Sequence, residues 1–247
     1  MTDERMQIVQ PVLNTIENKD IKRFAIKVLE DLPEYIWHVG ASSTGKYHPS
    51  YSLGEGGLMR HQMAVVRFLN FFFELEQYNS KLTSREMDLM RVAGLVHDGR
   101  KSGSQIEFEG NKYTKFDHPL QMANEILKYK DMLPDEEIQL VADTISKHMG
   151  GWNTDRKSPV VLPKPDNKFA RMLHVADYLA SRKCLTMDFE NYVAETVEVP
   201  DINTTKLTFG KHAGKTLIEV KKCDPTYISW AKQNLTRSPW QELLKQV

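Results

Sequence analysis

"GLVHDGRKSG", residues 94–103, poses the problem that the rest of the chain has to answer. Leu89, Ala93 and Val96 share one apolar stripe of a helix, and His97 continues it, followed at once by Asp98. A polar group placed on a buried stripe leaves water and needs a partner. The same conflict recurs along the chain. His61 falls in the stripe Leu58, Val65, Leu69, Phe72, and His148 follows Ile138, Val141, Ile145. Asp177 lies against Phe169, Leu173, Ala176, Ala180. Four helices thus each direct an imidazole or carboxylate toward the core, and His118 adds another just before a helix start. One buried histidine can be satisfied by a carbonyl. Several histidines and carboxylates drawn together from different helices make the ligand set of a divalent transition metal, which also offsets the cost of burying the carboxylates.

Composition narrows the setting. The 247 residues allow one large domain with a small appendage, and 40% apolar content is enough for a real core. Lys and Arg number 33, as do Asp and Glu, so no global field attracts nucleic acid or membrane. The balance is global but not local: from Ile202 to Val247 eight Lys/Arg face three Asp/Glu, an excess of five. Two cysteines, Cys184 and Cys223, form no CxxC pattern and fit a reducing compartment. The opening "MTDERMQIVQ" has no signal-peptide core, and the run Phe71–Phe73 is too short to span a bilayer. The expectation is a cytoplasmic protein with no membrane partner.

Most of the first 200 residues has helical period. Asp20 is the expected N-cap of "IKRFAIKVLEDL", and Thr83 with Glu86 forms a capping box ahead of the helix that ends in His97. A long helix is predicted over 56–78, preceded by a Gly/Ser/Tyr-rich loop at 39–55. Residues 99–117 are irregular, Pro119 and Pro134 open helices, 150–165 is a Gly/Pro loop, and 167–183 is helical again. After about residue 200 the character changes. "TKLTFGKHAGKTLIEV" reads as a hairpin broken by Gly210 and Gly214, then a short helix capped by Asp224 and a last one from "SPWQELLKQV". A unit this short is marginal by itself.

The order His61, His97-Asp98, His118, His148, Asp177 resembles the HD superfamily of metal-dependent phosphohydrolases. "GGLMRHQ" is similar to the first-histidine helix of that family, and "HDGRK" to its HDxGK, with Arg100 where Gly is usual and Lys101 in the lysine position. "HPLQMANEIL" resembles the HPxxGxxIL segment of HD-GYP phosphodiesterases, with Ala123 for Gly, and "VADYLASR" resembles the final-Asp helix. The likeness covers roughly 40–185. It implies two divalent metal ions, Mn²⁺ or Fe²⁺ foremost, with Mg²⁺, Co²⁺, Ni²⁺ or Zn²⁺ as substitutes. It assigns His61, His97, Asp98 and Asp177 to one ion, and a bridging Asp98 with His118 and His148 to the other. A metal-activated bridging hydroxide would then attack a phosphoester. A single His148 replaces the His-His pair of HD-GYP proteins, and "GGWNTD" stands in place of their GYP segment, so a cyclic-di-GMP phosphodiesterase of that kind is not expected. Lys101 would neutralise a phosphate oxygen, with a solvated lysine as the plain alternative. Arg100, Lys46 and His48 are weaker substrate-binding candidates, and for His48 a surface position is slightly favoured. His38, His174 and His212 read as structural or exposed.

The tail carries a second resemblance. "LTFGKHAGKTLIEV" with "DPTYISWAKQNL" is similar to the small C-terminal domain of exodeoxyribonuclease X, matching at Phe209, Gly210, Lys211, Gly214, Lys215, Leu217, Tyr227 and Trp230. Tyr227 and Trp230 are expected in its core, while Lys211 and Lys215 are candidates to meet phosphates. The expectation is therefore a mainly α fold: an HD-domain helical bundle over 1–200 with N-terminal helices, and a small α+β appendage over 201–247. The expected function is phosphoester hydrolysis on a nucleic acid or nucleotide. Its rivals are a free-nucleotide hydrolase, acting on a nucleoside phosphate or cyclic nucleotide, and a non-catalytic metal-stabilised nucleic-acid-binding module.

Overall fold

The computed structural model describes residues 2–42, 48–189, 201–235, 240–244 and 246–247. Lys46 lies outside them. The chain divides into two units, residues 1–192 and 193–247.

The first unit is helical. Helices α1 (Asp3–Leu13) and α2 (Lys19–Asp31) are followed by the short turn Glu34–Trp37. Then come α3 (Gly57–Glu74), α4 (Glu76–Asn79), α5 (Ser84–Val96), α6 (Gln105–Gly110), α7 (His118–Ile126), α8 (Asp135–Ser146) and α9 (Lys168–Ala180). Helix α3 sits at the centre and packs on α5 and α9, while α8 packs on α5, α7 and α9. The stripe of α3 is buried as its period predicts, and each fully buried Leu or Val contributes roughly 1.5–3 kcal/mol. Gly94 allows the close approach of α5 to α3: a Cβ there would stand 2.8 Å from the Leu69 Cδ1. No helix among the described residues is long and apolar enough to cross a membrane.

Caps set the ends. The Thr83–Glu86 box closes α5, as its sequence indicates. The cap of α2 is Asn18 rather than Asp20, with Asn18 Oδ1 accepting from the backbone N–H of Asp20 and Ile21 at 3.0 and 3.1 Å. Asn18 wins because its own N–H is held by Asp88, a buried carboxylate at 2.8 Å that also accepts from Glu17 N–H and from Arg91. That cluster ties the α1–α2 turn to α5. The segment 99–117 is not wholly irregular, because Ser104 and Glu107 form a capping box that starts α6.

The second unit holds α10 (Leu217–Cys223), α11 (Pro225–Asn234) and α12 (Trp240–Leu244) around Leu207, Leu217, Val220, Ile228 and Ala231. Asp224 caps α11 as expected. The expected hairpin shrinks to one antiparallel bridge between Lys206 and Thr216, with no strand among the described residues. The chain between turns too tightly for a ladder: Leu207 N–H reaches Lys215 O, and Leu207 O already accepts from Gly214 N–H. Among the described residues the appendage is therefore helical, and its expected β part is not shown.

Candidate metal centre

Five elements deliver the polar residues to one place. His61 comes from the second turn of α3, and His97-Asp98 from the end of α5. His118 opens α7, His148 follows the end of α8, and Asp177 sits in the last turn of α9. All except Asp177 are buried.

The contacts form two lobes. In one, Asp177 Oδ1 lies 3.0 Å from His61 Nε2 and 3.7 Å from His97 Nε2. In the other, Asp98 Oδ1 lies 3.0 Å from His118 Nε2 and 3.7 Å from His148 Nε2. Asp98 Oδ2 reaches back to His97 Nε2 at 3.7 Å and joins the lobes. The side chain of Asp177 is 23% exposed and marks the way in from solvent.

The histidine tautomers follow from their other nitrogens. Nδ1 of His97, His118 and His148 lies 2.9, 2.6 and 2.8 Å from the carbonyls of Gly94, Lys115 and Ile145. A carbonyl only accepts, so each Nδ1 carries the proton and donates it. In its neutral form each ring therefore turns an Nε2 lone pair to the centre. His118 Nε2 and His148 Nε2 then face each other at 3.3 Å as two acceptors, which repel unless something positive lies between them. His97 Nε2, which is buried, has no hydrogen-bond partner. A histidine that anchors Nδ1–H on a carbonyl and offers Nε2 is the arrangement that metal ligands adopt. Nitrogen and oxygen donors in this ratio suit Mn²⁺, Fe²⁺ or Zn²⁺, so the residues fit a divalent metal. Groups that could hold an ion are His61, His97 and Asp177, and His97, Asp98 and His148.

The electrostatics agree. Burial works against the charge of Asp98, but Lys101, His97 and His118 outweigh it and hold its carboxyl well below the usual range. Burial likewise opposes Asp177, and the neighbouring imidazoles of His61 and His97 outweigh it and hold it well below the usual range. Burial, with His97 and His118 adding to it, pushes His148 down to about 3, so it is a neutral donor. His97 is raised: burial lowers it, and the carboxylates of Asp98 and Asp177 more than reverse that.

The flanking candidates divide. Lys101 is not a free surface lysine, since its Nζ lies 2.5 Å from Asp98 Oδ2. His48 is half-buried rather than on the surface, its ring 5.5 Å from that of His61, and burial pushes it down to about 3. Arg100 instead pairs with Glu125 at 2.7 Å. In the second unit, Lys211 pairs with Asp224 at 2.7 Å, and Lys215 Nζ has Cys223 Sγ at 3.7 Å. Tyr227 is in the core as expected, but Trp230 is 48% exposed.

Tyr35 escapes the sequence reading, whereas His174 is structural, one of the two roles the sequence allowed it. Tyr35 OH donates to Gly103 O and accepts from Ser102 N–H, fixing the turn after Asp98. The partners lie some seventy residues apart in sequence, and no local pattern reports them. His174 Nδ1 donates to His148 O at 2.8 Å and so holds a second atom of that residue.

The model of the HD domain matches residues 59–182, half of the chain. The chain belongs to the HD-domain family, and so to the metal-dependent phosphohydrolases. The model of the exodeoxyribonuclease X-like C-terminal domain matches residues 207–236. No curated protein and no solved structure matches the chain.

Proposed function

We propose that this chain hydrolyses a phosphodiester of a nucleic acid, using two divalent cations, Mn²⁺ or Fe²⁺ foremost. His61, His97, Asp98 and Asp177 would hold one, and Asp98, His118 and His148 the other. The observation that carries this reading is the convergence of four imidazoles and two carboxylates, with Nε2 of His97, His118 and His148 turned inward by carbonyl anchors on Nδ1. Bound ions of this kind supply a water acidic enough to ionise near neutral pH and offset the charge of the phosphate.

The chain's own residues do the rest. The carbonyl-anchored rings orient the donors before any ion arrives. Asp98, held ionised, is shared between the lobes. Lys101 holds Asp98 Oδ2 and keeps a partly exposed ammonium at the edge of the cluster, where it can also meet a phosphate oxygen. His48, beside His61, borders the same space. A nucleic acid is favoured over a free nucleotide by the excess of five positive charges after Ile202 and by the match of that segment to an exodeoxyribonuclease tail.

The test is reconstitution with Mn²⁺ followed by turnover of bis(p-nitrophenyl) phosphate. A panel of single-stranded DNA, RNA, nucleoside phosphates and cyclic nucleotides then identifies the substrate by its products. Oligonucleotide cleavage is expected. Cleavage confined to mononucleotides would move the substrate to the free-nucleotide class. Two bound ions with no turnover of any member would make the protein a metal-stabilised binding module.

A further inference from the structure

We infer that the cavity bounded by Lys211, Thr226, Tyr227 and Trp230 receives an unpaired base of single-stranded nucleic acid, with Lys211 meeting the adjoining phosphate. The inference rests on the nucleic-acid reading above and adds to it a binding site made wholly from residues of the second unit.

These four side chains line one concave space of about 300 Å³, the lower end of the range for small-ligand sites. Thr226, Tyr227 and Trp230 belong to α11, and Lys211 to the turn that Gly210 opens. Gly210 has φ +72°, and a Cβ there would stand 3.3 Å from Tyr227 OH, so the glycine lets this turn lie against the ring. Two groups are thereby set against Tyr227. Lys211 Nζ lies 5.6 Å from its ring centroid, and the Trp230 ring centroid lies 5.2 Å away. The planes of the two rings are 39° apart, so they do not stack on each other, and the indole keeps an open side: Tyr227 is 8% exposed and Trp230 48%. Trp230 also stands outside the apolar cluster that Leu207, Leu217, Val220 and Ile228 fill, so core packing does not account for it. A lone exposed tryptophan is ordinary, but one that borders a concavity beside an ammonium group is arranged for a partner.

The chemistry around the cavity decides what that partner is. One acid, Asp224, stands here, and both its oxygens are occupied. Lys211 and His212 hold Oδ2 at 2.7 and 2.9 Å, while Thr226 Oγ1 and Tyr227 N–H donate to Oδ1 at 2.6 and 3.1 Å. Lys211 has three N–H donors and a side chain 64% exposed, so it keeps donors for an anion beyond Asp224. The excess of five positive charges after Ile202 acts in the same direction. A quaternary ammonium suits aromatic rings but is repelled by this charge, and a proline-rich peptide suits them but brings no anion. A flat π system joined to an anion satisfies both features, and a base one sugar away from its phosphate is such a pair. Bases in a duplex have both faces covered by their neighbours, so the strand is single. Stacking of this kind tolerates any base, because each has a π face.

The test is a fluorescence titration of the full Mn²⁺-loaded chain. The probes are a thymidine decamer with phosphorothioate linkages, which resist hydrolysis, and the same backbone without bases. The decamer is expected to bind about tenfold tighter than the abasic strand and to quench tryptophan emission. Trp230→Ala should remove most of that preference while the affinity for the abasic strand stays level. Trp230→Phe should retain the preference but lose most of the quench, which a merely structural tryptophan would not do. Equal affinity for the two probes in the wild type, or an undiminished preference in Trp230→Ala, overturns the site. An undiminished quench in Trp230→Phe overturns it too, by placing the bases on another tryptophan, and that variant decides by itself if Trp230→Ala does not fold. Bis(p-nitrophenyl) phosphate turnover separates this result from the hydrolase reading: an inactive wild type that still prefers the base-bearing strand sinks the hydrolase and keeps the site. A proline-rich decapeptide addresses the rival occupant. Peptide binding that Trp230→Ala abolishes, with no base preference in the wild type, overturns the proposal in favour of a peptide groove.

Discussion

The histidines of the helical unit and the lysines of the C-terminal unit both stand out in the sequence, yet their surroundings differ in kind. Each imidazole of the cluster is buried and, at His97, His118 and His148, tied by Nδ1 to a backbone carbonyl. Lys211 has a side chain 64% exposed and an aspartate for company, and Lys215 Nζ has a cysteine sulfur at 3.7 Å. Buried polar atoms must find partners within the protein, so an orphan such as His97 Nε2 points to something that completes it. Exposed ammonium groups are satisfied by water, and their geometry says little about what they meet. The first region is legible from structure; the second can be read only through its response to salt.

The largest expected effect breaks the first region. Asp98→Asn removes the carboxylate shared by both lobes and should lower phosphodiester turnover by about a thousandfold, several kcal/mol of lost charge stabilisation. Helix content by circular dichroism should hold. Near-wild-type turnover would place the chemistry elsewhere. His118→Ala with His148→Ala divides the region further: elemental analysis of the reconstituted double variant should fall from two ions per chain to one. An unchanged count would remove these two residues from the ligand set.

A third variant asks whether scaffold and site are separable. Asp88→Ala leaves two backbone N–H groups and Arg91 without their buried acceptor. It should cost about 3 kcal/mol in urea unfolding, with metal content unaltered once the chain is folded. A loss under 1 kcal/mol, on the order of an exposed pair, would show that water replaces the carboxylate.

The second region gives smaller effects. Hydrogen bonds from Lys211, Thr226 and His212 hold the Asp224 carboxyl far below the usual aspartate range. A depressed carboxyl contributes stability that is complete above the unfolded value of about 3.9 and fades as pH falls through the lower folded one. NMR signals of Tyr227 and Trp230 should therefore persist to below pH 4 and then weaken. Asp224→Ala should remove that acid step and lower the melting temperature of the unit at neutral pH. Last comes Lys211→Ala with Lys215→Ala. The slope of log affinity for single-stranded oligonucleotide on log salt should flatten by about 0.7 for each lysine that meets a phosphate. An unchanged slope in a folded double variant leaves the recruiting role to other residues.

Much of this arrangement was written locally. Apolar period located the helices, the Thr83–Glu86 box and the Asp224 cap fixed two starts, and His61, His97 and His148 betrayed themselves by lying on buried stripes, with Asp177 against a fourth. What failed to show depended on distant partners. Asp88 looks like any helix-surface acid in "SREMDLM", because the N–H groups it accepts from are some seventy residues away. Asn18 and Asp20 can both cap a helix, and that buried carboxylate settles which does. Helix α6 is too short for a period to declare itself, although Ser104 and Glu107 were spaced to reveal it. Trp230 was misplaced by residue type alone: a tryptophan one turn from core Tyr227 can face outward when Leu207, Leu217 and Ile228 already fill the interior. His48 was hidden the other way, in a polar loop that gives no hint of its ring lying against His61.

The three carbonyl anchors share one further property. Gly94 with His97, Lys115 with His118 and Ile145 with His148 are each three residues apart, so every ring is fastened within its own turn of chain. Aim is therefore a local matter, and the packing of the bundle governs only how far apart the donors stand. A core substitution that slides α8 along its neighbours would carry His148 with its anchor intact and its nitrogen still correctly turned. Damage of that sort would not disorder a ligand. It would show as a faster escape of the ion, detectable in its off-rate while the imidazole resonances of the metal-free chain remained sharp.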